Sequence, residues 1–253
     1  MAVQAEYLLG LDFGKQRDST VLTVIKVDIR PLPRKSILGT PEYDEEPTRL
    51  LTHFCAVWMW RPPLGTNYIK VVDTVAKVVK HRTLMDNYVL LPDATGVGSP
   101  IIEMLARRNI VMVPISSTAG QSPTQMSDRF GYNVPKKDLV DALVVVFQRG
   151  LFDYLPNLGH TDEGTGKFVN HVKVFEEELQ KFVVKSSPAG RPKYEAEDPV
   201  TDHDDTIMSV ALPIWWGMRG ESYERRLMRG AEREKRISNR EEGGWDPLEE
   251  YRR

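Results

Sequence analysis

The sequence predicts an α/β domain, a mixed β-sheet flanked by helices, and three observations carry that expectation. Residues 7–13, 20–27 and 50–60 are successive runs rich in Val, Leu, Ile and aromatics, separated by turn-forming residues, and they read as a strand meander. Residues 67–81 then place Ile69, Val72, Val75, Ala76 and Val79 at helical spacing, directly before the short buried-strand run 88–91. Residues 101–108 and 110–115 repeat the helix-then-strand pattern, so antiparallel strands give way to βα units and the sheet is mixed.

The remaining elements follow in order. Between the second and third runs, the proline-rich and acid-rich segment 30–47 reads as an exposed insertion. Ser99-Pro100 suits the start of the helix over 101–108. After a polar loop rich in Ser, Thr and Gln, residues 137–149 put Leu139, Val140, Leu143, Val144 and Phe147 on one helical face and stop at Gly150. Residues 169–182 repeat that pattern with Val172, Phe175, Leu179 and Phe182, and 182–195 reads as a hairpin turning at Ser187-Pro188-Ala189-Gly190. The last packed helix is expected over 203–216. Residues 1–217 are therefore taken as one domain, and 218–253, dominated by Arg and Glu with few apolar residues, as a charged tail, partly helical or disordered.

Composition bounds the function. A chain of 253 residues with 41% hydrophobic residues can fill a sizeable core, and no run approaches the ~18 apolar residues of a membrane span. The N-terminus lacks a signal-peptide pattern, and the one cysteine, Cys55, permits neither an internal disulfide nor a cysteine zinc site, so a cytoplasmic protein without membrane contact is expected. A net charge of −2 means that any basic nucleic-acid surface must be local.

Three groups of acids stand where a buried charge is costly unless something balances it. Asp12 ends the first apolar strand, and Asp93 ends the strand 88–91 just before Ala94-Thr95-Gly96-Val97-Gly98. Asp202-His203-Asp204-Asp205 opens the last helix, where one or two acids would serve as ordinary caps but four consecutive polar groups exceed that need. Carboxylates converging from distant segments form an oxygen-only ligand set for hard divalent cations, Mg²⁺ or Mn²⁺, and a two-metal site built from Asp12, Asp93, Asp204 and Asp205 can hydrolyse a phosphodiester. The choice between Asp204 and Asp205 is open at this point. Lys181, Lys185, Arg191 and Lys193 on the hairpin, with Lys136 nearer the acids, are candidates for phosphate contacts, against the plainer reading of solvated surface cations. His53, His81, His160 and His171 show no metal-ligand spacing.

Three motifs carry a family resemblance: Gly10-Leu11-Asp12-Phe13-Gly14 followed by Asp18-Ser19-Thr20-Val21, then Pro92-Asp93-Ala94-Thr95-Gly96-Val97-Gly98, and last His203-Asp204-Asp205-Thr206-Ile207-Met208-Ser209-Val210-Ala211-Leu212. Together they resemble the nuclease domain of the large terminase subunit of tailed bacteriophages, with Pro135-Lys136-Lys137 similar to that family's helix-opening lysine. The resemblance implies a ribonuclease H-like fold and a metal-dependent endonuclease that cuts double-stranded viral DNA concatemers during genome packaging. It maps the metal-binding acids onto Asp12, Asp93 and one or both of Asp204 and Asp205. It further implies a terminase ATPase motor, a small terminase subunit and a portal as partners, and the host cytoplasm as location. Ser209 stands where the family's last motif often carries a further Asp. The motor's Gly-x4-Gly-Lys-Ser/Thr motif is not found in the sequence, so the chain is expected to be either an excised domain or a partner of a separate motor. Two rival readings are a Holliday-junction resolvase on the same fold, expected as a symmetric dimer, and an actin-like ATPase, which would need a second half of the fold.

Overall fold

The structure, a computed structural model, describes residues 6–14, 18–31, 50–95, 98–127, 130–186, 192–196 and 204–219. Strands β1 (Tyr7–Asp12), β2 (Val21–Pro31) and β3 (Leu50–Trp60) form the expected antiparallel meander. Helix α1 (Tyr68–Val79) follows, its N-cap Asn67 accepting the Lys70 N–H. Strand β4 (Tyr88–Pro92) then adds parallel to β1, and β8 (Phe152–Tyr154) closes the other edge parallel to β3, giving the order β4-β1-β2-β3-β8. All five residues of β4 are buried, which is why the run 88–91 reads as continuously apolar rather than alternating.

Helix α2 (Gly98–Ala106) leads to the run 110–115, which lies beside β4 through the bridges Leu90↔Met112 and Asp93↔Ile115. The Leu90 N–H donates to the Val111 carbonyl, and the Val113 N–H donates back to Leu90. The expected strand over 110–115 is thus a bridged run and not a full strand, because Pro114 has no N–H to give to a ladder. A meander with two parallel additions on its β1 side is the strand arrangement of the ribonuclease H-like fold, and the mixed sheet flanked by helices is as predicted.

Elsewhere the expectations needed correction. The polar loop before 137 contains a small sheet, β5 (Ile115–Thr118), β6 (Thr124–Gln125) and β7 (Tyr132–Pro135), in the order β5-β7-β6. Helix α3 (Lys136–Gln148) is as expected and ends at Gly150, whose φ of 64° is the left-handed stop. The helix expected over 169–182 is shorter. Phe168 and Val169 belong to β10 (Phe168–Asn170), which pairs with β9 (Gly159–Thr161), and α4 (Val172–Lys181) begins only after Asn170 accepts the Val172 N–H at 2.8 Å. The hairpin is present as β11 (Phe182–Ser186) and β12 (Pro192–Ala196), with its turn outside the described residues. The last helix, α5, runs Asp205–Met218, starting later than expected. The segment 32–49 and the tail from residue 220 onward also lie outside the described residues. Among the described residues, no helix is long and apolar enough to cross a membrane.

The sheet separates two cores. On one face Leu9, Leu11, Leu22 and Trp60 pack against Val72 and Val75 of α1 and Leu105 of α2. On the other, Leu8, Val21, Phe54 and Leu91 pack against α3, α4 and α5. Helix α5 is buried almost all round, and it touches β1 so closely that a Cβ on Gly10 would stand 1.8 Å from the Ser209 carbonyl oxygen.

Candidate metal centre

Asp12 is the last residue of β1, and Asp93 follows the last residue of β4. The parallel register pairs Leu11 with Pro92, and the Asp93 N–H donates to the Leu11 carbonyl at 2.8 Å, so the two acids emerge side by side at one end of the sheet. Asp12 follows Leu11 and so points to the opposite face, the one that α5 covers. Asp204 and Asp205 sit at the start of α5, and their charges act on Asp12. Four acids from three segments of the chain are therefore near enough to act on one another.

Their environments differ. Asp205 is buried, 6% exposed, and its Oδ2 accepts the Ser19 N–H at 2.8 Å, which ties the loop after β1 to α5. Asp93 is also buried, and its Oδ1 accepts the Thr95 N–H at 2.7 Å, which closes the turn that follows β4. The side chain of Asp204 is 25% exposed, and its Oδ2 receives the Lys136 ammonium at 2.7 Å. Of the two acids at this position, Asp205 is the deeper one.

Electrostatics mark the site. Burial, then the charges of Asp93, Asp205 and Asp204, raise the Asp12 pKa well above the usual carboxylate value, with Lys136 opposing. Burial likewise raises Asp93, while hydrogen bonds from Thr95 and the charge of Lys136 pull it down. Mutually repelling carboxylates in a shielded place are the donor set of a hard cation, so these residues fit Mg²⁺ or Mn²⁺. Among the described residues, however, no group of three or more His, Cys, Asp and Glu lies close enough as placed to hold one ion. Lys136 pairs with Asp204, and Asp93 and Asp205 each accept a backbone N–H.

The loop after β1 is held by three further contacts. The Gly14 N–H donates to Thr20 Oγ1, the Tyr68 hydroxyl donates to the Gly14 carbonyl, and Phe13 meets Tyr68 edge-on. Ser209, where the resembled family often has Asp, gives its hydroxyl proton to the Thr206 carbonyl, which leaves Thr23 to donate to it at 2.7 Å. This position links α5 to β2 instead of facing the acids.

Of the hairpin cations, Lys181 is exposed in the last turn of α4. Lys185 and Lys193 are direct cross-strand partners, their side chains lying beyond the description, and Arg191 lies outside the described residues, as do Lys15, Arg17, Gly96, Val97 and His203. Two features went unread in the sequence. Glu178 is buried, 7% exposed, and its Oε2 accepts both the N–H and the hydroxyl of Thr206; an acid three residues beyond Phe175 on the apolar stripe of α4 was the signal for it. His160 Nδ1 and His171 Nε2 lie 3.1 Å apart with stacked rings, a tertiary meeting that no sequence spacing announces.

The class is thus a ribonuclease H-like domain with acids gathered at the ends of its central strands. Solved structures similar to it are terminase nucleases. The large terminase nuclease of thermophilic phage G20c is 19% identical, with 83% of this chain and 81% of that chain covered at a TM-score of 0.49. Its magnesium-bound form is 20% identical, covering 84% and 85% at 0.49. The manganese-soaked human cytomegalovirus terminase nuclease domain is 10% identical, covering 83% of each chain at 0.45. No protein-family model matches the chain, and no curated protein matches it in sequence.

Proposed function

We propose that this chain is a divalent-metal-dependent DNA endonuclease of the terminase large-subunit kind, cutting double-stranded viral DNA during packaging. The observation that carries the reading is the meeting of Asp12, Asp93, Asp204 and Asp205 at one end of the sheet, with Asp12 pushed toward protonation by burial first and then by its three acidic neighbours. The metal would be held by Asp12 between Asp93 on one side and Asp205, with Asp204, on the other. Bound there, Mg²⁺ or Mn²⁺ would acidify the attacking water and stabilise the leaving oxygen.

The chain's own residues supply the rest. Asp12 is held by its pairing with Val21 in the β1–β2 register and Asp205 by Ser19, so two acids are set in place by backbone and not by long flexible side chains. Lys136 limits repulsion among the acids and holds Asp204 nearby. Lys185 and Lys193 are register partners on the hairpin, and phosphate contacts by Lys181, Lys185, Arg191 and Lys193 are part of this proposal. The motor, small-subunit and portal partners, the concatemer substrate and the host cytoplasm belong to this proposal through the sequence resemblance.

Plasmid cleavage tests it. Wild type is expected to nick and linearise DNA with Mn²⁺ or Mg²⁺ and to stop in EDTA, while Asp12→Asn and Asp93→Asn are inactive. Cutting that survives EDTA, or that both variants retain, would overturn the proposal. A stable dimer selective for four-way junctions would favour the resolvase instead.

A further inference from the structure

Helix α5 begins unusually. Its N-cap, Asp204, is a residue type that caps well, yet its side chain makes no capping hydrogen bond and reaches Lys136 instead. The N–H groups of a first helical turn still need acceptors. The one on Thr206 finds its acceptor on another helix: Oε2 of Glu178, in α4, takes it at 2.9 Å and also takes the Thr206 hydroxyl. Glu178 and Phe175 are the buried residues of α4, whereas Glu176 bonds the Tyr154 hydroxyl and Glu177 faces Lys173 at the surface. A buried carboxyl is an expensive acceptor where an N-cap aspartate could do the same job locally.

We infer that Glu178 is a positioning residue of the acid site: by capping α5 from α4, it releases the Asp204 side chain from capping and sets the first turn from which Asp205 projects. The inference rests on the reading of Asp204 and Asp205 as metal ligands. Glu178 itself acts through Thr206. The consequence is a metal requirement that depends on a residue two steps removed from the ion.

The test compares wild type, Glu178→Gln, Glu178→Ala, Thr206→Val and Asp12→Asn as full chains. The Mn²⁺ concentration giving half-maximal plasmid cleavage and the Mn²⁺-induced rise in melting temperature are read alongside metal-free melting temperature. Glu178→Ala is expected to need roughly tenfold more Mn²⁺ or beyond, the scale typical of groups that orient ligands. Glu178→Gln keeps an acceptor oxygen with two lone pairs, and is expected to stay within about threefold of wild type. Thr206→Val loses one of the two bonds and should fall between them; it reports on the clamp even if Glu178→Ala fails to fold.

A purely structural cap would lower the metal-free melting temperature and leave the Mn²⁺ requirement unchanged in Glu178→Ala and Thr206→Val, which would overturn the inference. Glu178→Gln as impaired as Glu178→Ala would also overturn it, because charge and not acceptor geometry would then matter. If Asp12→Asn responds to Mn²⁺ as wild type does, the metal reading itself fails, whatever the Glu178 variants show.

Discussion

The two adjacent aspartates that open α5 divide the work by depth. Asp205 is buried and anchored by Ser19, whereas Asp204 is partly exposed and paired with Lys136. Asp204→Asn is therefore expected to cost roughly tenfold in cleavage, as for the more exposed of the two ligands and the one already paired with a lysine, and Asp205→Asn considerably more, measured as initial rates at saturating Mn²⁺. Lys136→Ala leaves the acids without their nearby cation, so the metal-free protein should melt lower and the Mn²⁺-induced rise should be larger, read by thermal unfolding with and without metal. A pH effect follows from two buried groups. Burial raises Glu178 from 4.5 to about 7, so its stabilising contribution is complete below 4.5 and is lost as pH rises through 7. Burial, then the His160 and Arg61 charges, lowers His171 from 6.5 to about 4, so its contribution is complete above 6.5 and is lost as pH falls through 4. Between 4.5 and 6.5 the two oppose, each by at most about 3 kcal/mol. Glu178→Gln removes one side of the balance, so its stability in urea should fall more steeply than that of wild type from pH 6.5 to 4.5. At this scale Asp12 and Asp93 were legible because each ends an apolar strand. Glu178 was missed although it stands on the apolar stripe of α4, because Glu176 and Glu177 beside it make the run read as a charged surface and its partner Thr206 lies on another helix.

At the scale of elements, the close approach of β1 to α5 sets the tolerance of the site. Gly10→Ala would drive a methyl into the Ser209 carbonyl and against Pro213, so either the helix or the strand must move. A loss on the order of 3 kcal/mol or more is expected in denaturant unfolding, with cleavage falling in parallel because Asp12 lies two residues on. The same contact explains why small Ser209 suits this chain: it bonds to Thr23 while the backbone passes Gly10. The meander, α1, β4 and α3 were readable because apolar periodicity and burial agree there. Where they part, the reading failed. Val169 reads as the start of a helix but, with Phe168, it lies on a two-stranded ribbon, the two being 37% and 44% exposed. The strands β5 and β6 are built mostly from Ser, Thr and Gln and β7 is Tyr132-Asn133-Val134-Pro135, so the three are too short and too polar for an apolar alternation to announce them.

For the whole molecule, metal binding and stability are one equilibrium. On the proposed reading, divalent ions would bind the folded acid cluster and not the dispersed acids of an unfolded chain, so Mn²⁺ should raise the melting temperature in a concentration-dependent way. Because Asp12 and Asp93 hold protons more tightly than ordinary carboxylates, protons compete with the metal, and the rise should be larger at pH 8 than at pH 5.5. Differential scanning fluorimetry across a Mn²⁺ series at both pH values checks this, and Asp12→Asn should show little of the effect. The layered plan of the molecule was legible in the order of its elements, but the joining of α4 to α5 was not, since it depends on how two helices distant from the sheet edge meet. The burial of α5 has a further consequence in time. Asp12 and Asp93 lie in the first half of the chain, but Asp205 arrives with the helix that also fills the core beneath the sheet. A polypeptide emerging from the ribosome would carry the first two acids well before the third, and it could not cut until that helix had docked. Completion of the fold would then be the event that arms the enzyme.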